Sequence, residues 1–307
     1  MEKIGEHGFV RLVETMPVYE DPTSEGELSP LDRAIVQAAR VSYAGGTKTT
    51  RGDRGLIRYL LRHAHTTPFE MIEFKFHFKM PMFVARQHLR HRTASVNELS
   101  ARYSVMPEEY FVPEVLREQS STNKQGSEGD FDTPEANKCL ADQKEACDTA
   151  FKIYGDMIRL GVSRELARAH LPVGTFTEFY WKINLHNLMH YLRLRMEAGA
   201  QKEIRDYAWA MYRLVQPLCP VAMEAFTDFK VNAITFSGPE LGALAKILRL
   251  GTPFSDGPKM TIEQLETLGV FGVDEHDVNN LLLPTIPPLS KAEQREMKEK
   301  LKKMGLE

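Results

Sequence analysis

A strict two-residue alternation near residue 75 is the feature that most constrains the fold of this chain. Polar or charged residues separate the apolar ones, and the apolar set is Ile72, Phe74, Phe76, Phe78 and Met80. Successive side chains of a β-strand point to opposite faces, so the run predicts a strand with one apolar face. Pro81 ends the run and suits the first turn of a helix, which we expect to continue to about Arg92.

Helical periodicity dominates much of the remaining chain. The predicted helices cover residues 30–41, 54–63, 135–160, 185–195, 201–218 and 221–230, with a further start at Ser163 and a second strand over 176–183. Residues 117–136 are polar, and we expect a surface insertion loop there, either an active-site lid or a simple insertion. The order of elements has no βαβ rhythm and the chain has no GxGxxG loop, so a Rossmann fold is not supported.

Composition limits the classes of protein to which the chain can belong. The 307 residues carry a formal net charge of −3, which argues against bulk nucleic-acid binding. The first residues lack the apolar core of a secretory signal, and no apolar run approaches the roughly 18 residues that span a bilayer. The three cysteines, Cys139, Cys147 and Cys219, have no CxxC spacing and read as reduced thiols. We therefore expect a cytoplasmic protein without membrane association.

A basic segment follows the alternating strand. If the predicted helix continues to Arg92, Gln87, Arg90 and His91 share one face at spacings of three and four residues. Arginine forks beside the carboxylate of Glu98 suit a planar, anionic ligand such as a nucleotide. Two other interpretations remain open at this point: a solvated basic helix end, or contact of residues 86–102 with an RNA or DNA backbone.

The same segment carries a family signature. Arg90-His91-Arg92, seven residues and then Ser100 form an RHRx7S pattern, flanked by Phe83-Val-Ala-Arg-Gln and Asn97-Glu-Leu-Ser. Further blocks occur in order along the chain, at 38–42, 65–70, 164–168 and 184–195. In these features the chain resembles the flavin-dependent thymidylate synthases over most of its length, up to about Phe229.

The resemblance implies an α+β fold of mixed helices with an antiparallel-type sheet, and a homotetramer with active sites at subunit interfaces. It implies a catalytic domain over 1–231, which includes the polar insertion, and leaves 232–307 as a C-terminal helical extension without an assigned role. The implied reaction converts dUMP to dTMP, with FAD as cofactor, NADPH as reductant and methylenetetrahydrofolate as carbon donor.

The resemblance also assigns roles to individual residues. The expected FAD-binding residues are Thr67, Arg90, His91, Arg92, Glu98, Asn184, His186 and His190. The expected dUMP-binding residues are Gln87, Arg90, Glu98, Leu99, Ser100, Arg102, Arg168 and Arg195. His65 matches a residue near the flavin and the folate. Ser100 is interpreted as a hydrogen-bond donor rather than a nucleophile, since no adjacent base is evident to activate it.

Arg195 is the predicted catalytic residue. The resemblance places it beside the uracil ring, where a guanidinium would stabilise negative charge that develops on the pyrimidine. None of the cysteines lies in a nucleophile motif, which agrees with a reaction that forms no covalent adduct between enzyme and pyrimidine. An inactive, structural member of the family is the remaining alternative.

His186 and His190 stand four residues apart, a spacing that zinc-binding helices also use. No third ligand with convincing spacing follows them, so we expect no metal site.

Overall fold

The structure is a computed structural model that describes residues 1–20, 27–41, 50–121, 123–238, 240 and 300. The chain divides into two units, Met1–Asn232 and Ala233–Glu307. All of the elements named below belong to the first unit. The predicted C-terminal helical extension, 232–307, lies outside the described residues except for 232–238, 240 and 300.

The centre of the first unit is a five-stranded sheet in which every neighbouring pair is antiparallel. Its strands, in spatial order, are β1 (Glu2–Ile4), β2 (Gly8–Met16), β3 (Glu73–Pro81), β7 (Phe176–Asn184) and β4 (Ser95–Glu98). A separate antiparallel hairpin consists of β5 (Leu116–Gln119) and β6 (Ser127–Phe131). This arrangement confirms the predicted α+β class with an antiparallel sheet.

The alternating run forms β3 as predicted and supplies the middle of the core. Phe74, Phe76 and Phe78 are fully buried, and their partners across the β3–β7 ladder are the buried Ile183, Trp181 and Phe179. Each large apolar side chain buried in this way contributes about 1.5–3 kcal/mol. The alternation therefore fixes which face of the sheet receives the helices.

The described residues of the first unit contain nine α-helices. They are α1 (Pro30–Arg40), α2 (Thr50–Arg62), α3 (Thr67–Glu70), α4 (Met82–His88), α5 (Pro134–Arg159), α6 (Arg164–Ala167), α7 (Leu185–Arg195), α8 (Lys202–Val215) and α9 (Pro220–Phe226). Each longer helix lies where the periodicity predicted it. The hydroxyl of Ser29 caps α1 by accepting a hydrogen bond from the backbone N–H of Asp32.

Two predictions about local structure are wrong. The helix after Pro81 ends at His88 rather than near Arg92, and Arg90 and His91 continue in a tighter turn with bonds to residues three positions back. The shared helical face of Gln87, Arg90 and His91 therefore does not exist. The predicted insertion loop contains the β5–β6 hairpin, which alternation could not reveal because all of β6 is exposed.

Candidate functional site

The predicted site residues gather where the chain leaves β3, passes through α4 and returns along β4. β7 pairs with both β3 and β4 and ends at Asn184, opposite Glu73 at the start of β3. α7 follows directly, and its Tyr191 contacts Trp181 of β7 and bonds to His88 at the end of α4. The end of α4 and the second half of α7 consequently meet. The sheet order thus joins residues that are about a hundred positions apart in the sequence.

His91 and Arg195 form a direct hydrogen bond at this meeting point. The Nε of Arg195 donates to the Nε2 of His91 at 3.1 Å. Burial, followed by the charge of Arg195 and the neighbouring His190, lowers the pKa of His91 to about 4. His91 is therefore neutral near pH 7, as it must be to accept this bond. The two terminal nitrogens of Arg195 have no hydrogen-bond partner among the described residues.

A second pair lies directly beneath this one. The Nδ1 of His88 lies 2.9 Å from the hydroxyl of Tyr191, both residues are fully buried, and the ring of Tyr191 contacts His91 edge-on at 4.8 Å between centroids. Burial lowers the pKa of His88 well below its usual value and raises that of Tyr191. We call His88, His91, Tyr191 and Arg195 the inner cluster.

Sequence reasoning missed His88 and did not use Tyr191 as a site residue. The available signal was the position of His88 four residues after Val84, on the face of α4 that points into the core. A histidine there needs a polar partner, because an unpaired buried imidazole costs free energy. The Nε2 of His88 has no hydrogen-bond partner in the described residues, so Tyr191 satisfies only one side of the ring.

The rest of the signature forms a different surface, residues 92–103, which we call the outer strip. Every residue of β4 is exposed, and β4 is the edge strand of the sheet. Glu98 accepts a hydrogen bond from the hydroxyl of Thr177 at 2.6 Å, and the backbone N–H of Leu99 donates to the backbone carbonyl of Glu178.

The side chains in and next to the outer strip that could bind a phosphate make few and weak contacts with the described part of the protein. The Oγ of Ser100 accepts from the backbone N–H of Arg102 at 3.3 Å, and the Arg102 guanidinium lies 3.5 Å from Glu165. Arg90, just before the strip, and Arg92 within it are exposed, and neither has an ion pair in the described part of the chain. These three cations are available to an anionic ligand.

Gln87 is the predicted site residue with the most extended polar contacts. Its Nε2 donates to Oε1 of Gln201, whose own Nε2 donates to Glu203 at 2.7 Å. Arg117 of the β5–β6 hairpin donates to the other oxygen of Glu203 at 2.7 Å. The half-buried Gln87 is thereby linked to α8 and to the hairpin.

The remaining predicted residues lie apart from the inner cluster. Thr67 begins α3, which packs against α7, and the exposed His65 precedes it, edge-on to Tyr59. Asn184 caps α7 by accepting from the backbone N–H of Asn187 at 2.9 Å, so its side-chain oxygen has a structural task. Arg168 is exposed in the 3-10 turn Arg168–His170, and among the described residues no hydrogen bond joins it to the inner cluster.

The two histidines of the HxxxH pair have different surroundings. The ring of His190 lies 5.9 Å from that of His91, whereas His186 is half-buried in the first turn of α7. Within the described ranges, no group of three or more His, Cys, Asp or Glu side chains is arranged to hold a metal ion.

A cavity of about 710 Å³ lies elsewhere, between the β1–β2 turn, residues 108–117 and α8. None of its lining residues is a predicted site residue, although it reaches Arg117 and Glu203. Its lining does not include the inner cluster.

Among the helices in the described part of the chain, none has both the length and the apolar character needed to cross a membrane.

Comparison with known proteins gives a consistent result. The sequence model described as thymidylate synthase complementing protein matches residues 28–221. A flavin-dependent thymidylate synthase of Dictyostelium discoideum is 47% identical over 270 residues, covering 86% of this chain and 84% of the relative. One of Thermus thermophilus is 48% identical over 265 residues, covering 86% of this chain and 89% of the relative.

A solved structure agrees with these sequence relatives. The crystal structure of a UMP/dUMP methylase, PolB of Streptomyces cacaoi, bound with 5-Br dUMP is similar with a TM-score of 0.63 and 33% identity. The match covers 73% of this chain and 96% of that one. The chain belongs to the flavin-dependent thymidylate synthase family.

Proposed function

We propose that the protein catalyses the reductive methylation of dUMP to dTMP, with FAD bound at the signature segment, methylenetetrahydrofolate as carbon donor and NADPH as reductant. The carrying observation is the hydrogen bond between a neutral His91 and Arg195, because it joins the signature to the predicted catalytic residue. Family membership and the 5-Br dUMP bound in the related methylase support dUMP as the substrate.

Arg195 acts in this proposal as an electrostatic catalyst. Its Nε is committed to His91, which leaves the two terminal nitrogens as a fork for the uracil edge. A guanidinium held by a neutral partner keeps its full charge for the ring, where negative charge develops. The position of Arg195 is set before ligand arrives, so less reorganisation accompanies the reaction.

The free cations of the signature fit a dinucleotide cofactor. Arg90 and Arg92 are exposed without ion pairs in the described residues, and the neutral His91 between them adds a ring without a competing charge. We propose that these three residues hold FAD, with Thr67, Glu98, Asn184, His186 and His190 around it and His65 towards the folate. FAD would supply the hydride that completes the methyl group.

Binding of dUMP is assigned to Gln87, Leu99, Ser100, Arg102 and Arg168, together with Arg90 and Glu98. The loose pairing of Arg102 with Glu165 supports this role, because an exposed ion pair at 3.5 Å is easily exchanged for a phosphate. Ser100 donates a hydrogen bond in this proposal and forms no covalent bond with the pyrimidine.

The thiols agree with a route that uses no cysteine nucleophile. Burial raises the pKa of both Cys147 and Cys219, which lowers their thiolate fraction near neutral pH. Cys139 is exposed on α5, outside the inner cluster and the outer strip.

We also propose that the cytoplasmic working form is a homotetramer in which a second copy completes each site, with residues 1–231 as the catalytic domain. The exposure of the outer strip supports this, since ligand sites normally enclose most of a small ligand. The competing RNA- or DNA-binding interpretation of 86–102 has no support among the matched relatives, which are named as enzymes.

The test is a reconstitution with the purified full chain. We expect a bound yellow flavin, or saturable FAD binding on titration, and dTMP formation that requires dUMP, methylenetetrahydrofolate and NADPH together. A chain that binds no flavin and forms no dTMP contradicts the proposal. Oligonucleotide binding with a steep salt dependence and no dUMP affinity would instead favour the nucleic-acid interpretation.

A further inference from the structure

The polar chain that begins at Gln87 has a defined direction. Arg117 donates to one oxygen of Glu203, Gln201 donates to the other, and Gln87 donates to Gln201. In both glutamines, therefore, the NH2 group points along the chain towards Glu203 and donates the hydrogen bond. The side-chain oxygen of Gln87, at the far end, has no hydrogen-bond partner in the described residues.

The carboxylate of Glu203 imposes this direction. An ionised carboxylate only accepts hydrogen bonds, so Gln201 must turn its NH2 group towards it and present its oxygen to Gln87. Burial acts to raise the pKa of Glu203, but hydrogen bonds from Arg117, its own backbone N–H and Gln201 outweigh burial and leave the pKa below its usual value. Glu203 is therefore ionised at neutral pH.

We propose that Glu203 and Gln201 are positioning residues that orient the amide of Gln87 so that its oxygen, not its NH2 group, faces dUMP. The inference rests on the proposed function, since it takes Gln87 as a dUMP-binding residue. The partner of the Gln87 oxygen is a hydrogen-bond donor of the nucleotide, either the N3–H of uracil or the 3′-hydroxyl of the sugar.

Replacing Glu203 by glutamine reverses the chain rather than merely weakening it. Arg117 can only donate hydrogen bonds, so the oxygen of the new amide at position 203 faces Arg117. The NH2 group of that amide therefore faces Gln201. Gln201 then accepts at its oxygen and donates to Gln87, whose own NH2 group is left facing the nucleotide. A donor now meets a donor, although the size and packing of the side chains are nearly unchanged.

The experiment measures the Kd for dUMP by calorimetry on the flavin-loaded full chain. We expect Glu203→Gln to weaken dUMP binding about tenfold, the effect of one lost hydrogen bond. In a Gln87→Ala background the same change should have no further effect, because the residue through which it acts is absent. The visible spectrum of the flavin should be the same in all variants.

A matched control is Asp206→Asn, which also neutralises a carboxylate on α8, three residues further along. Asp206 pairs with Lys202 and takes no part in the chain to Gln87, so its Kd for dUMP should stay within about twofold of the wild type. If Glu203→Gln fails to fold, Gln201→Met interrupts the chain at its middle and should give a similar loss that also vanishes with Gln87→Ala.

A substrate analogue separates the two possible donors. With 2′,3′-dideoxyuridine monophosphate, the penalty of Glu203→Gln disappears if the donor is the 3′-hydroxyl and persists if it is N3–H. Unchanged dUMP binding in Glu203→Gln, or an equal loss with and without Gln87, overturns the inference. A wild-type chain that binds no dUMP contradicts the proposed function itself.

Discussion

The inner cluster and the outer strip each contain part of one signature, but they differ in burial and in hydrogen bonding. His88 and Tyr191 are fully buried and bonded to each other, and His91 is bonded to Arg195. The outer strip lies on an exposed edge strand, where Arg92 is unpaired in the described residues and Arg102 is held at 3.5 Å.

The difference separates two ways of building a binding site. Buried hydrogen bonds are costly to break, so the inner cluster keeps its geometry without ligand. Exposed charges interact weakly with each other in water and keep their capacity for an anion. The fold thus fixes the position of Arg195, the proposed catalytic residue. It leaves the arginines of the outer strip, Arg92 and Arg102, available to an anionic ligand.

Arg195→Ala should have the largest effect on catalysis. Loss of one group that stabilises developing charge typically lowers kcat about 10²–10³-fold, and we expect that range for dTMP formation. Arg193→Ala is the matched control, because Arg193 is an exposed cation of the same helix, and its rate should stay near that of the wild type. A wild-type rate in Arg195→Ala would show that the catalytic assignment is wrong.

Tyr191→Phe should destabilise the fold. It leaves the Nδ1 of His88 unpaired in the core, at a cost of about 1–3 kcal/mol in the free energy of unfolding. The double change His88→Leu with Tyr191→Phe removes both partners and should recover part of that loss. Urea unfolding measures all three proteins. Equal stability of Tyr191→Phe and wild type would mean that the buried pair contributes nothing.

Arg102→Ala should show the opposite pattern. Its ion pair with Glu165 is exposed, so the unfolding free energy should change by less than about 0.5 kcal/mol. We expect the KM for dUMP to rise about tenfold, because a charge-assisted hydrogen bond to phosphate is lost. Thermal denaturation and steady-state kinetics on the same sample separate the two effects. A large loss of stability without a change in KM would contradict the division.

The smallest expected change is a shift in the titration of His91. Burial is the main reason for its low pKa, and the charge of Arg195 is the second. In Arg195→Gln the pKa of His91 should rise above about 4 yet stay below its ordinary value, since the burial remains. NMR titration of the imidazole follows this directly. An unchanged pKa would mean that Arg195 does not act on His91 electrostatically.

Local sequence patterns predicted a large part of the fold. The alternation at β3 and the helical spacing of α1, α5, α7 and α8 were read correctly, because each of these elements buries one regular face. The strands β1, β2, β4, β5 and β6 were not predicted. Few or none of their residues are buried, so they show no regular apolar face from which a strand could be recognised.

The same limit applied to the site: individual residues were predicted, but the contacts between them were not. The signature identified His91 and Arg195 separately through the family resemblance, but the bond between them depends on α4 and α7 packing over one sheet. The chain from Gln87 to Arg117 was missed for that reason. A hydrogen bond between distant residues leaves no periodic trace in the sequence.

The class of fold followed from the family resemblance. The sequence by itself determined the buried face of the central strand and the segment that carries the signature. These depend on side-chain patterns within a few turns or strands of the chain. Only the tertiary structure decided that His91 joins the inner cluster, whereas most of the remaining signature lies in the outer strip. Helix α4 ends at His88, before most of the signature. After that point, the exposure of each signature residue and its hydrogen-bond partners depend on which elements lie next to it in the sheet. No local sequence pattern contains that information.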